Sequence, residues 1–133
     1  MFLQSLNNDE RHLFLDMELY MSKIDSNFSD EEKKIIDMHA AEMHIDHNDY
    51  TPEHSIDYVR SHIKQLTDVK KRICFFELIA VALSDGVYDE NEKELIDNLA
   101  IAFGFEENDL EETIEAIHLL RTGYEKATAF IMR

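Results

Sequence analysis

The chain has 133 residues, 44% of them hydrophobic, which is enough to bury the core of one domain. Only 3 glycines and 1 proline are present, and this argues against an all-β protein, which needs many tight turns. The 29 acidic and 13 basic residues give a formal net charge of −16. That charge argues against binding to nucleic acid or to an anionic membrane, and favours cations or an unknown protein partner with a basic surface.

The single cysteine, Cys74, cannot form a disulfide within the chain and lies in an apolar stretch, as expected of an inert core thiol. The first residues lack the basic and long apolar regions of a secretion signal. The longest apolar run is too short to span a bilayer. We therefore expect a cytoplasmic protein with no membrane insertion.

Apolar side chains recur at helical spacing along most of the chain. The stretch "YTPE" predicts a helix start, since Thr51 can cap the helix and Pro52 suits its first position. Further along, Thr122 and Glu125 stand at capping-box spacing and predict a separate last helix. The patterns together predict an all-α fold of about seven helices, over 9–24, 30–43, 52–66, 69–84, 90–103, 109–120 and 122–132.

Two segments of the chain repeat each other at an offset of 60 residues. The stretch "IDSNFSDEEKKIID" (24–37) aligns with "SDGVYDENEKELID" (84–97), and the match continues without a gap through residue 49. From this repeat we predict two pseudo-symmetric helix-turn-helix halves, about 9–66 and 67–133, within a single domain. The identical pairs are Asp25/Asp85, Glu32/Glu92, Lys33/Lys93, Ile36/Ile96, Asp37/Asp97, Ala40/Ala100, Asn48/Asn108 and Asp49/Asp109.

Each repeat carries acidic residues on both sides of its interhelical turn. Ser29 with Glu32, and Asp89 with Glu92, have the spacing of a helix N-cap and its third residue, so capping alone can explain both glutamates. The loop is not an EF-hand, because its first and third ligand positions fall on apolar residues in the second repeat.

Asp25 and Asp85 lack that explanation, because they follow helix C-terminal ends, where the helix dipole disfavours negative charge. A bound cation would offset this cost. If the repeats pack symmetrically, four carboxylates could converge into a site for Ca²⁺, Mg²⁺ or Mn²⁺. The predicted ligands are Asp25, Glu32, Asp85 and Glu92, with Asp89 and Glu77 as additional candidates.

The stretch "VALSDGVYDENEKELIDNLAIAFGF" resembles the motif of the TerB-like (tellurite-resistance) family, and the resemblance covers most of residues 10–120. It implies an all-helical fold of two such halves, metal binding through the acidic turn residues, and an association with tellurite and chemical stress. The resemblance is carried by Asp85, Gly86, Glu92, Leu95, Ile96 and Gly104, and in the first repeat by Asp25, Glu32, Ile35 and Ile36, with Ser26 in place of the glycine.

The histidine-rich stretch "HAAEMHIDH" lacks zinc-site spacing, since its histidines point in different directions on a helix, and we expect scattered surface histidines. His39 nonetheless aligns with Leu99, and Glu77 aligns with Met17, so two polar groups fall on core-like faces. We expect separate partial exposure of both side chains. Direct pairing of His39 with Glu77 is the alternative hypothesis.

No catalytic constellation emerges, because the glycines are scattered and nothing marks a substrate pocket. The sequence therefore predicts a non-enzymatic acidic module that binds a divalent cation at its interhelical turns, in a stress-response context. The alternative is a protein–protein interaction domain with no metal site, whose acidic face docks a basic partner. A hydrolase built on the carboxylates is the least favoured reading.

Overall fold

A computed structural model of the chain describes residues 1–24, 29–46, 49–84 and 90–133, and within these ranges all side chains except those at 23, 24, 91 and 92. Over these residues the fold is all-α and contains no strand, as the sequence predicted. A short 3₁₀ turn precedes six α-helices. The elements are the 3₁₀ turn Leu3–Ser5, α1 Asn8–Ile24, α2 Asp30–Glu42, α3 Ile56–Ile63, α4 Asp68–Ala82, α5 Glu90–Phe103 and α6 Glu107–Ile131.

Side-chain caps fix the starts of several helices, among them α2, α3 and α4. Ser29, Ser55 and Thr67 each accept a hydrogen bond from the backbone N–H three residues later. Such a cap satisfies one of the N–H groups that a helix leaves without an internal partner, and contributes about 1 kcal/mol. The predicted cap at Ser29 is thus confirmed, and α2 begins at the next residue.

The predicted helix start at "YTPE" is wrong, because α3 begins only after Ser55. The buried carboxylate of Asp16 on α1 accepts hydrogen bonds from the backbone N–H groups of Glu53, at 2.7 Å, and His54, at 3.1 Å. The Nδ1 atom of His54 lies 2.8 Å from the same carboxylate. These contacts hold residues 53–54 in a loop against α1, so a tertiary interaction overrides the local helix signal.

One continuous helix, α6, replaces the two predicted over 109–120 and 122–132. Thr122 and Glu125 are interior residues of α6, and the capping box predicted there is absent from this described helix. Hydrogen bonding continues through Gly123, since no proline interrupts the backbone ladder. At about 1.5 Å per residue, the 25 residues of α6 extend for about 37 Å.

The two repeats fold alike at the local level. α2 begins at Asp30 and α5 at Glu90, 60 residues later. After these helices, His44 (φ 58°) and Gly104 (φ 77°) both adopt the left-handed conformation, again 60 residues apart. In each repeat the next N–H donates to the carbonyl oxygen five positions earlier, at 2.8 Å. The second repeat uses glycine, which adopts this conformation without a Cβ penalty.

Aligned positions of the repeats also line the core. α1 packs against α2 and α3, while α4 packs against α5 and α6. The 3₁₀ turn packs against α2 and α4 and so connects the two groups of helices. Buried residues at equal offset are Ile36/Ile96, Ala40/Ala100 and Met43/Phe103.

Cys74 is fully buried in α4, as the sequence predicted. Burial raises the pKa of its thiol to about 12. The thiol is therefore protonated at neutral pH, and it is a core side chain rather than a nucleophile.

Candidate functional site

Two of the six predicted cation ligands have described side chains. Glu32 is half-buried in the first turn of α2, while Glu77 is 3% exposed within α4. Over the described residues, no group of three or more His, Cys, Asp or Glu side chains is placed to hold a metal ion. The predicted ligands outside the described part are Asp25, Asp85, Asp89 and the side chain of Glu92.

Glu77 belongs to a partly buried charge cluster that joins three helices and the start of the chain. α1 contributes Glu18, α2 contributes His39 and Glu42, and the amine of Met1 completes the cluster. Glu18 and Glu77 are 0% and 3% exposed, which is rare for carboxylates and requires partners.

The two ring nitrogens of His39 face two different carboxylates. Its Nδ1 lies 2.5 Å from Oε1 of Glu18, and its Nε2 lies 3.6 Å from Oε2 of Glu77. The hypothesis that His39 pairs with Glu77 is therefore confirmed at ion-pair distance. The expected separation of the two side chains is wrong, because the fold brings them to ion-pair distance, whereas the expected partial exposure holds for His39 and not for Glu77.

The start of the chain supplies the remaining donors. The Met1 amine lies 2.6 Å from Oε1 of Glu42 and 3.1 Å from Oε1 of Glu77. The backbone N–H of Phe2 donates to Glu77 at 2.9 Å, and that of Leu3 donates to Glu42 at 2.9 Å. Each carboxylate thus accepts from a backbone N–H and also faces a cation, which offsets part of the cost of burying it.

Both cationic groups of the cluster have raised pKa values. Burial lowers the pKa of His39, but the hydrogen bond and charge of Glu18 and the charge of Glu77 outweigh it. Burial likewise lowers the pKa of the Met1 amine, while its contacts with Glu42 and Glu77 raise it further. The folded state therefore favours the protonated form of both groups.

This geometry makes the cluster an internal ion-pair network rather than a chelating site. Metal ligands must converge on one point, whereas the two nitrogens of His39 point toward different carboxylates. The same contacts occupy both nitrogens, so His39 is poorly placed to act as a general base. The cluster instead ties α1, α2, α4 and the first residues of the chain together.

The sequence reasoning missed Glu18, although a signal for it was present. The offset of 60 that exposed His39 and Glu77 also aligns Glu18 with a buried apolar residue. Each of the three polar residues of the cluster thus aligns with an apolar residue of the other repeat. Glu18 aligns with Leu78, His39 with Leu99 and Glu77 with Met17.

We expect the stability that His39 contributes to be lost as pH rises through its raised pKa in the folded protein. Its pKa is raised on folding, so its contribution is fully present below its ordinary value of about 6.5 and is lost as pH rises through the folded value. Urea unfolding of the unmodified chain and of His39→Gln, between about pH 6 and about pH 9, measures this difference. The Met1 amine titrates in both proteins, and because its charge acts on His39, the comparison measures His39 together with this coupling. Parallel stability curves for the two proteins would contradict the assignment.

A second candidate site is the terminal segment of the chain (residues 119–133). Seven-residue spacing places Leu110, Ile117, Tyr124 and Ile131 along one face of α6. Leu110 and Ile117 are each 6% exposed, whereas Tyr124 and Ile131 are each 75% exposed. The face that enters the core in the first half of α6 therefore continues, still apolar, beyond the body of the protein.

The edge of the body lies near Arg121, whose Nη2 donates to the carbonyl oxygen of Leu83 at 2.9 Å. All residues from 122 to 133 are exposed. Several large apolar side chains lie exposed in this segment, and exposed apolar side chains grouped in this way are typical of an interaction surface. The exposed large apolar residues are Leu119, Leu120, Tyr124, Phe130, Ile131 and Met132.

Across the described residues, no helix has the length and apolar character needed to cross a membrane. No family model, curated protein or solved structure matches the chain.

Proposed function

We propose that this chain is a non-enzymatic protein-interaction module that binds an apolar helix through its terminal segment. The observation that supports this proposal is the continuation of one α6 face from 6% exposure at Ile117 to 75% exposure at Tyr124. The residue types on that face remain those of a core, while the body of the protein no longer covers them.

The free energy of apolar burial favours a partner that covers the exposed apolar side chains of the terminal segment. Burial of one large apolar side chain contributes about 1.5–3 kcal/mol, so covering several of them can drive association. The terminal segment is 15 residues long, a length at which an isolated helix is marginal in water. A helix packed against it would therefore both bury its apolar face and stabilise its backbone.

Site-specific photo-crosslinking in cells tests this function. A photoreactive phenylalanine analogue at Tyr124 is expected to crosslink to protein, since the side chain lies at the centre of the surface. Ile101 is the matched control, because it is a large apolar residue of α5 with 74% exposure. Equal crosslinking at 124 and 101, or none at 124, would contradict the proposal.

A second candidate function, cation binding at the turns after α1 and α4, is supported by the local likeness of the two repeats. α2 and α5 begin 60 residues apart, so Asp25 and Asp85 hold equivalent places in the sequence. In this second proposal the chain consists of two pseudo-symmetric TerB-like halves, and the turn carboxylates bind Ca²⁺, Mg²⁺ or Mn²⁺.

Thermal unfolding of metal-stripped protein with and without each cation tests the second proposal. Specific binding raises the unfolding free energy by about 2.7 kcal/mol at a cation concentration 100 times the Kd. Asp85→Asn is expected to reduce this gain, whereas Asp97→Asn, at an exposed position of α5, is expected to keep it. Identical melting curves with and without cations would refute it.

A further inference from the structure

We infer that the helix which covers the terminal segment belongs to a second copy of this chain, paired antiparallel along residues 119–133. This inference rests on the interaction function proposed above and names its partner. It is drawn from the side-chain sizes and charges along the segment.

Gly123 is the first observation. It lies inside α6, where glycine destabilises a helix relative to alanine. Gly104 is the glycine with positive φ among the described residues, so the backbone at Gly123 does not require glycine. Beyond its chain neighbours and the local helix backbone, a Cβ atom added there would meet no described atom within 4 Å. The close approach of a second helix would explain a glycine here, because a residue without a side chain lets two helix backbones come near each other.

An antiparallel pair matches large side chains with small ones. The apolar stripe of the segment has the alternating three- and four-residue spacing of paired helices. If Tyr124 faces Ala127 of the second copy, Leu120 faces Ile131 of that copy, and Gly123 lies beside its Phe130. Twofold symmetry then makes each of these contacts twice, so the segment is complementary to itself.

Charge selects the antiparallel direction. The terminal segment holds 3 basic residues, Arg121, Lys126 and Arg133, and 1 acidic residue, Glu125. Subtracting these from 13 basic and 29 acidic residues leaves 10 basic and 28 acidic residues in the rest of the chain. A parallel pair would place the same basic residues side by side, whereas in the antiparallel pair Arg133 lies opposite residue 118, at the end of the acidic first half of the other α6.

The first half of α6 adds to this charge complementarity. Residues 107–118 contain 5 acidic residues and no lysine or arginine. In the antiparallel pair the basic end of each terminal segment approaches this acidic half of the other α6. The attraction is between partly exposed charges, so added salt is expected to weaken the pair.

Equilibrium sedimentation of the full chain, from low micromolar to millimolar concentration, tests the inference. We expect reversible dimers, and we expect Tyr124→Glu to weaken them by about 30-fold or more, as for a central apolar contact. Gly123→Leu is the more specific variant, because leucine favours the helix and its Cβ has open space around it outside the local helix backbone. It is expected to weaken the dimer while keeping the monomer folded. Ala129→Leu, at an exposed position on the opposite face of the helix, is expected to keep the dimer intact.

The outcomes separate the two proposals. A chain that stays monomeric at millimolar concentration overturns self-pairing, as does a dimer that neither Tyr124→Glu nor Gly123→Leu weakens. Crosslinks from position 124 to a different protein also overturn self-pairing and leave the interaction function standing. Crosslinks between two copies support both proposals, and a position 124 that behaves like position 101 overturns both.

Discussion

Glu77→Met is expected to lower the free energy of unfolding by about 3–5 kcal/mol, the usual effect of breaking a buried ion pair from one side. The substitution removes the carboxylate that faces both His39 and the Met1 amine, and that accepts from the N–H of Phe2. Methionine fills a similar volume, so the loss is electrostatic rather than a cavity. Urea unfolding at neutral pH measures it.

Replacing the whole polar core of the cluster is expected to be less harmful than replacing one member. The triple variant Glu18→Leu, His39→Leu and Glu77→Met installs the residue types that the other repeat has at the aligned positions. It removes the buried charges together instead of leaving one without its partners, and apolar replacement of whole buried ion networks is often neutral or stabilising. We therefore expect the triple variant to be more stable than Glu77→Met.

Glu94→Met controls for the loss of a surface carboxylate, since Glu94 is exposed on α5, and its effect is expected to stay within about 0.5 kcal/mol. The three single variants, measured beside the triple, reveal the coupling within the cluster. Losses that simply add from the single variants to the triple would show that these residues do not act as a network.

Phe75→Ala is expected to lower the free energy of unfolding by about 3–5 kcal/mol, because it removes a large core side chain and leaves a cavity. Phe75 is 2% exposed on α4. Its ring centroid lies 5.7 Å from that of Phe103 at the end of α5, and 4.9 Å from that of Phe105 just beyond. The substitution therefore loosens the contact between α4 and the region where α5 ends.

Phe130→Ala is the matched control for this cavity. Phe130 lies in the terminal segment and is 69% exposed, so in dilute protein its removal is expected to change stability by less than about 0.5 kcal/mol. Chemical denaturation of both variants at low protein concentration makes the comparison. A large loss from Phe130→Ala in a monomeric sample would show that the terminal segment packs against its own body.

Together these variants separate the body of the protein from its surface. The charge cluster and the aromatic contacts of Phe75 belong to the body, whereas Tyr124 and Gly123 concern the terminal segment. A variant in the segment that preserves stability but loses association would locate the function at the surface. The body would then serve as the rigid support that holds α6 in place.

Local sequence signals predicted much of the fold because helices form largely from local patterns. The apolar stripe over 90–103 has the same bounds as α5, and the Ser29 cap marks the start of α2. The offset of 60 predicted the aligned core positions Ile36 and Ile96, both fully buried. Each of these signals acts within a few residues of chain, where spacing and capping chemistry decide the outcome.

The departures from the predicted helix bounds have different causes. The start of α3 moved because Asp16, 37 residues away from Glu53, binds the backbone of the preceding loop. The predicted break at Thr122 did not occur, because a capping-box spacing alone does not interrupt a continuous hydrogen-bond ladder. Glu18 aligns with the buried Leu78, but only the packing of α1 against α2 places its carboxylate beside His39.

The sequence by itself determined that this chain is helical, acidic and internally repeated, since composition, apolar spacing and the offset of 60 are properties of the chain alone. Only the tertiary structure decided that Glu77 meets His39 and that the apolar face of α6 stays uncovered beyond Ile117. Helical spacing fixes which side chains share a face. Contacts between helices that are distant in sequence decide which face is buried and how far along a helix the rest of the protein covers that face.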